Sequence, residues 1–314
     1  MRPHTHTIPK ALMHVAGQPI IGHILDELER LQIYDLVLIV GYRAEKLVEY
    51  MERKRPEFRV RFVEQAELRG LGQAVTLSEH IVKDQPALIV YGDTVFEGDL
   101  ENALDDAVDG RIGTCEVADP SRFGVVQVDG ERIVRMVEKP AEFVSNLAIV
   151  GVNYIRNTPL LYECLRDLMA MGRTTRGEYQ LTDAFQMMLE RGAVMEPFAV
   201  DCWHDCGTSE ALLETNRQLL SRCSNTTERP GCIVVPPVWI ATSAVVKNAV
   251  VGPYVSIAEE ADVEVSVIRD SIIGEKARVV SCLLEHSLVG NESLVQGASQ
   301  RLNVGDSSEI SLGV

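Results

Sequence analysis

Beyond residue 230 the apolar residues recur every six positions: Trp239, Val245, Val251, Ile257 and Val263, then after a shift Val267, Ile273 and Val279, and again Val289 and Val295. Val251, Ile273 and Val289 are each followed by glycine. A six-residue period fits neither the 3.6-residue turn of an α-helix nor the two-residue alternation of a strand. It is the signature of a left-handed parallel β-helix, in which three short sides make one triangular coil. Residues 231–314 then hold about three coils, and stacking buries the apolar rows that no single short strand could bury alone. A rod of this kind presents flat faces, which implies a homo-oligomer rather than a monomer.

The preceding residues, 1–224, read differently, and Asn225–Pro230 (NTTERP) reads as a linker. Pro19–Leu31 places Ile20, Ile21, Ile24, Leu25 and Leu28 on one helical face. Asp35–Val40 and Pro86–Tyr91 are short continuous apolar runs, each stopped by a glycine, as expected of buried parallel strands. Lys46–Lys54 and Gln73–Ile81 read as helices and Arg59–Val63 as a strand. This rhythm predicts an α/β, Rossmann-like domain with a mostly parallel sheet. Ligands of such sheets sit at the carboxyl ends of strands, where Asp93 falls.

Charge narrows the partners. The formal net charge is −16, from 30 Lys+Arg against 46 Asp+Glu. Nucleic acid and anionic membrane both need clustered positive charge, so neither is expected. Seven scattered cysteines do not make a disulfide framework. Cys202 and Cys206 flank His204, but no second pair with zinc spacing follows. The N-terminus has no apolar signal core and no apolar run is long enough to span a bilayer, so a cytoplasmic protein is expected.

The landmarks of the first 224 residues come in a recognisable order: RPHTHTIPKALMHVAGQPII, Gln65 with GLGQA (Gly70–Ala74), YGD (Tyr91–Asp93), RFGVV (Arg122–Val126), EKP (Glu138–Pro140), NLAIVGVNY (Asn146–Tyr154), GEYQLTDA (Gly177–Ala184) and WHDCGT (Trp203–Thr208). In this order they resemble the sugar-1-phosphate nucleotidyltransferases, and the C-terminal repeat resembles the tail of long members, including some glucose-1-phosphate thymidylyltransferases. The resemblance implies attack of a sugar phosphate oxygen on the α-phosphorus of a nucleoside triphosphate, dTTP or UTP, with release of pyrophosphate. It implies Asp93 and Asp205 as ligands of Mg²⁺, hard oxygen donors for a hard cation. It implies Lys10 at the α-phosphate and Lys139 at the phosphate of the sugar. Gln65, Gly70 and Gly92 fall at the nucleotide; Gly124, Glu138, Gly151 and Trp203 at the sugar, most simply glucose 1-phosphate. The form Gly70-Leu71-Gly72-Gln73 looks more like thymidylyl and uridylyl members than adenylyl ones. The product would be an activated sugar for cell-surface polysaccharide or deoxysugar synthesis.

One part of the family pattern is not found. A buried strand and a G-x-G-T-R turn, whose amides cradle the triphosphate, precede R-P-x-T in the family, whereas Met1 here stands directly before Arg2-Pro3-x-Thr5. The reading adopted is an internal methionine taken for the start, ahead of a degenerate, non-catalytic sugar-nucleotide-binding or regulatory subunit and of a deliberate truncation. Retention of Lys10, Asp93, Lys139 and Asp205 argues against long-standing loss of activity. Acyl transfer, the chemistry of some other β-helical enzymes, would rest on His286, the one histidine of the tail; a surface position is expected for it.

Overall fold

The computed structural model describes residues 8–41, 44–98, 100–105, 107–222, 225 and 229–297. Arg2, Pro3 and Thr5 and part of the expected linker therefore lie outside the described residues. Two compact units divide the chain: residues 8–13 with 18–212, and residues 14–17 with 213–297.

Two short strands, β1 (His14–Val15) and β2 (Gln18–Pro19), precede helix α1 (Ile20–Arg30), whose buried face carries Ile20, Ile21, Ile24, Leu25 and Leu28 as its spacing predicts. Strand β3 (Asp35–Val40), helix α2 (Ala44–Lys54) and strand β4 (Arg59–Glu64) form a parallel β-α-β unit, paired from Asp35↔Arg59 to Val40↔Glu64. The single helix expected at Gln73–Ile81 is two, α3 (Leu71–Thr76) and α4 (Glu79–Val82). The Ser78 hydroxyl between them donates to the Val75 carbonyl at 2.6 Å, a local bond that competes with continuation of the helix.

After α4 come β5 (Ala87–Val90), β6 (Thr94–Glu97), β7 (Gly110–Glu116), β8 (Gly124–Asp129), β9 (Arg132–Glu138) and the long β10 (Leu147–Ile155). Helices α5 (Thr158–Ala170) and α6 (Leu181–Glu190), strands β11 (Met195–Ala199) and β12 (Cys202–Asp205) and helix α7 (Ser209–Arg222) follow. The main sheet has the order β11-β7-β10-β8-β9, with β5 also on β10. Here the expectation of a mostly parallel sheet needs correcting. Only β11–β7 is parallel; β10 runs antiparallel to β5, β7 and β8, and β8 to β9. The reason is connectivity. The parallel β3–β4 pair is joined by a helix, whereas β8 and β9 are joined by a tight turn at Gly130, which has φ +59° and reverses the chain. Against the sheet, α5 and α6 bury Leu161, Leu165, Leu168, Leu181, Phe185 and Met188, each fully enclosed side chain contributing about 1.5–3 kcal/mol.

β3 pairs only with β4, and β5 only with β10, among the described residues. Their apolar residues, apart from the buried Val40, are accordingly half-buried, where continuous apolar runs predict fully buried strands.

The second unit is a parallel β-helix of three stacked sheets. The first stacks β13 (Ile233–Val234), β16 (Val250–Val251), β19 (Val267–Arg269) and β22 (Leu283–Glu285). The second stacks β14 (Val238–Ile240), β17 (Val255–Ile257), β20 (Ser271–Ile273) and β23 (Leu288–Val289). The third stacks β15 (Val245–Lys247), β18 (Asp262–Glu264), β21 (Arg278–Val280) and β24 (Leu294–Gln296). There are thus four coils where the period suggests about three. Ile233 pairs with Val250, Val250 with Val267 and Val267 with Leu283, so the coils advance by 17, 17 and 16 residues, which is the shift seen in the six-residue pattern. Val251, Val263, Ile268 and Val279 fill the interior with no exposure. The division between the units falls inside α7 rather than at the linker. In the C-terminal half of that helix Asn216 accepts from the Ser256 hydroxyl at 2.5 Å and donates to the Tyr254 carbonyl at 3.2 Å, which ties it to the coils.

Candidate active site

The site is built where β5 ends. Tyr91, Gly92 and Asp93 follow β5 and lead into β6, and the Asp93 carbonyl accepts from Cys206 N at 3.1 Å. β12 runs antiparallel to β6, with Asp205 opposite Thr94 and Trp203 opposite Phe96. Two carboxylates 112 residues apart in sequence are thereby brought near each other, Asp205 in β12 and Asp93 directly before the β6 residue that Asp205 opposes. Pro9, Lys10 and Leu12 form a short 3₁₀ turn ahead of α1, closed by Leu12 N on the Pro9 carbonyl. From it the Lys10 ammonium donates to Asp93 Oδ2 at 2.5 Å. Both partners are partly exposed, at 28% and 40%, so the pair is open to a ligand.

A cleft of about 180 Å³ opens beside this pair. Asp93, Gly124, Glu138, Gly151, Trp203 and Asp205 line it, together with Leu71, Tyr91, Thr94, Arg122, Phe123, Ile149, Gln180, Leu181 and Thr182. Six of the expected site residues thus line one cleft, and Lys10 joins them through Asp93. Lys139 joins through Glu138, with Nζ 3.5 Å from Oε1. Its backbone φ of +44° is a strained value for a lysine, held by Lys139 N on the Phe123 carbonyl at 2.9 Å. The other Glu138 oxygen accepts from the Thr182 hydroxyl at 2.8 Å, which aims the carboxylate.

Trp203 stands edge-on to Phe123 at 4.8 Å between ring centroids, and its indole N–H is buried with no hydrogen-bond partner among the described residues. A buried unmatched donor costs free energy unless a ligand supplies the acceptor. Burial of the Tyr91 hydroxyl pushes its pKa well above the ordinary phenol range, and the charges of Glu138 and Asp93 add to the shift. Tyr91 is therefore a neutral donor on the wall.

The glycines are explained by neighbours. A Cβ on Gly151 would stand 2.6 Å from the Tyr91 ring, and one on Gly124 2.7 Å from the Thr182 hydroxyl and 2.9 Å from Glu138 Oε2. Gly70, at φ +108°, caps α3, and a Cβ there would lie 2.5 Å from the Tyr179 carbonyl. Gln65, Gly70 and Gly92 do not line the cleft. The Gln65 amide donates to Gln73 Oε1 at 2.7 Å and so orders the loop leading to Leu71, which does line it.

Comparison with known proteins decides what this arrangement belongs to. Residues 1–222 match the nucleotidyl transferase family. The chain belongs to that family. It is 27% identical to a glucose-1-phosphate thymidylyltransferase of Streptomyces antibioticus, over 99% of this chain and 96% of that protein. It is 34% identical to the bifunctional protein GlmU of Methanocaldococcus jannaschii, over 71% of this chain and 52% of that one, so it spans about half the length of that relative. A solved structure assigned as a glucose-1-phosphate thymidylyltransferase of Bacillus anthracis, in complex with sucrose, superposes with a TM-score of 0.62 at 25% identity, covering 73% of this chain and 92% of that one. A UDP-glucose pyrophosphorylase with UDP-glucose bound shares the fold, with a TM-score of 0.62 at 22% identity.

Several wall residues of this nucleotidyl transferase were not singled out from sequence. Tyr91, Arg122, Phe123, Gln180 and Thr182 all lie inside quoted motifs, and membership of those motifs was the available signal. What sequence could not show is which of them face inward.

Proposed function

We propose that this nucleotidyl transferase moves a nucleotidyl group from dTTP or UTP to a sugar 1-phosphate, with glucose 1-phosphate the first candidate. The observation that carries the reading is the Lys10–Asp93 pair, 2.5 Å apart, beside a cleft that Asp93, Asp205 and Glu138 line, with Lys139 Nζ 3.5 Å from Glu138. Two lysines, each beside a carboxylate of the cleft, suit a reaction that must bring two polyanions together. The sugar phosphate oxygen attacks the α-phosphorus, the bond from that phosphorus to the bridging oxygen breaks, and pyrophosphate leaves with the electron pair. Lys10 offsets charge growing on the α-phosphate, and Lys139 holds the attacking phosphate. Glu138, aimed by Thr182, accepts from sugar hydroxyls, and the free Trp203 N–H donates to the ligand.

Two carboxylates at an open edge fit Mg²⁺, which takes few protein oxygens and keeps waters and substrate phosphates as its remaining ligands. Asp93 and Asp205 would hold it, and bound there it supplies positive charge at the phosphates. No group of three His, Cys, Asp or Glu able to hold a metal occurs among the described residues, so the site needs substrate oxygens to be complete.

Nothing in the structure favours the acyl-transfer alternative. His286 is half-exposed, and the Asp270 oxygen that bonds its Nδ1 at 2.7 Å also receives Arg217 at 2.6 Å. No helix among the described residues is long and apolar enough to cross a membrane. We also propose that the chain assembles as a homo-oligomer. The catalytic reading is tested by pyrophosphate release from dTTP and UTP with glucose 1-phosphate and Mg²⁺. Saturable turnover lost in Asp205→Asn supports it; nucleotide binding without turnover moves the reading to a non-catalytic nucleotide-sugar-binding subunit.

A further inference from the structure

Four residues after Lys10 the chain passes into the second unit. Residues 14–17 belong with the β-helix, whereas Lys10 before them and α1 after them belong to the first unit. β1 and β2 are joined there by a two-residue turn, Ala16-Gly17, in which both residues have positive φ, +46° and +102°. Such a turn matches the twist of a hairpin, but it strains alanine, whose Cβ disfavours the left-handed region. Val15 and Ala16 are nevertheless buried.

The groups that hold this turn all lie in the second unit. Ala16 N donates to Asn216 Oδ1 at 2.9 Å. Asn216 is fully enclosed, and its bonds to the Ser256 hydroxyl and the Tyr254 carbonyl make one amide the junction of the turn, α7 and the second coil. A Cβ on Gly17 would stand 2.4 Å from Cε2 of Trp239, so only glycine lets the turn lie against that indole. Trp239 is in register with Ser256 on the second sheet, which places both supports in one column. His14 Nε2 adds a third, 3.0 Å from Glu275 Oε1. None of Asn216, Trp239 and Glu275 lines the cleft.

In the other direction the turn is one short step from Lys10. Met13 N donates to the Lys10 carbonyl at 2.9 Å, and the Met13 carbonyl accepts from Ile20 N at 3.0 Å. The backbone from Lys10 to the start of α1 is thus pinned at both ends and in the middle. Strain is retained where the surrounding structure over-determines a segment, and here the segment carries the ammonium that reaches Asp93.

We infer that Asn216 is a positioning residue for Lys10, so that the second unit, through the hairpin of residues 14–17, is part of the support of the reaction. The inference rests on the catalytic reading proposed above and adds to it a group outside the cleft. A misplacement of about 1 Å costs about a hundredfold in turnover, and the flexible lysine stem absorbs part of it. Asn216→Ala should therefore lower kcat about tenfold, with KM for both substrates changed by less than about twofold.

A double-mutant cycle on the full chain tests this by pyrophosphate release, with thermal melts to show that each variant is folded. Effects of independent sites add, whereas groups acting through one another do not. The tenfold effect of Asn216→Ala should therefore vanish in a Lys10→Met background. Lys247→Ala, on the third sheet, should leave kcat unchanged. Should Asn216→Ala not fold, Glu275→Ala, at a half-exposed position, should lower kcat about threefold and lose that effect beside Lys10→Met. The same fall in both backgrounds, or wild-type kcat in folded Asn216→Ala, overturns the positioning role alone. A wild type without turnover, or Lys10→Met with wild-type kcat, overturns the catalytic reading and this inference together.

Discussion

Gly151→Ala is the most revealing single change. The added methyl would sit 2.6 Å from Cδ2 and Cγ of Tyr91 and 2.7 Å from its Cβ. Ordinary contact between such carbons needs about 3.6 Å, so ring and strand must separate by about 1 Å. Neither is free to move. Gly151 is buried in the middle of β10, its carbonyl accepts from Tyr91 N at 2.8 Å, and the Tyr91 Cβ is fixed by that backbone. Overpacking of this kind costs about 1–3 kcal/mol, or a fall in Tm of roughly 2–12 °C at about 2–4 °C per kcal/mol for a unit of this size. The displacement also reaches the chemistry, because Asp93 lies two residues beyond Tyr91. A misplacement of about 1 Å lowers turnover by about a hundredfold. Calorimetry and pyrophosphate release on the same preparations measure both effects. Wild-type Tm and wild-type turnover in Gly151→Ala would refute the argument that Tyr91 and Gly151 together set the position of Asp93.

Lys10→Met is expected to lower kcat by about 10²–10³ with little loss of stability, as for removal of one preorganised charge from a transition state; steady-state kinetics and a thermal melt separate the two. Thr182→Val removes the hydroxyl that aims Glu138, and since a hydrogen bond to a charged group contributes about 1.5 kcal/mol or more, KM for the sugar phosphate should rise about tenfold while KM for the nucleotide stays constant. Tyr91 titrates higher in the folded protein than its ordinary value of 10.0. Its neutral form therefore adds stability that is complete below pH 10 and declines as pH rises beyond it, so Tyr91→Phe should flatten the alkaline limb of a stability–pH profile. Cys164 is enclosed and its thiol is pushed up by burial, so it should resist alkylation at pH 8 in the native state and react once urea unfolds the chain.

Much of this was legible in sequence for identifiable reasons. β3 spans the six residues that its apolar run marks, and α1 buries the five residues that its spacing selects. In both, local period and burial agree. The β-helix was legible because each coil repeats the same interior demand, although the number of coils was not, since corners change the count from 17 to 16. The main sheet was misread because a strand's own residues do not encode the direction of its neighbours; β10 looks the same whether β7 and β8 run with it or against it. Asp93, Glu138 and Asp205 could be named from motifs. That Gly151 is required by an aromatic ring 60 residues earlier, and that Trp203 keeps an unmatched N–H, are facts of packing between distant segments. The break between α3 and α4 turns on one hydroxyl, Ser78, bonded to Val75 and to the Tyr162 hydroxyl at 2.9 Å.

The central claim is that the cleft lined by Asp93, Glu138 and Asp205, with Lys10 and Lys139 beside it, joins a nucleotide to a sugar phosphate. Its most direct test is pyrophosphate release with Mg²⁺, dTTP or UTP, and glucose 1-phosphate, comparing wild type with Asp93→Asn and Asp205→Asn. The account predicts turnover that needs both substrates and falls at least about a hundredfold in each variant. Turnover unaffected by both substitutions, or binding of nucleotide with no pyrophosphate released by wild type, would contradict it.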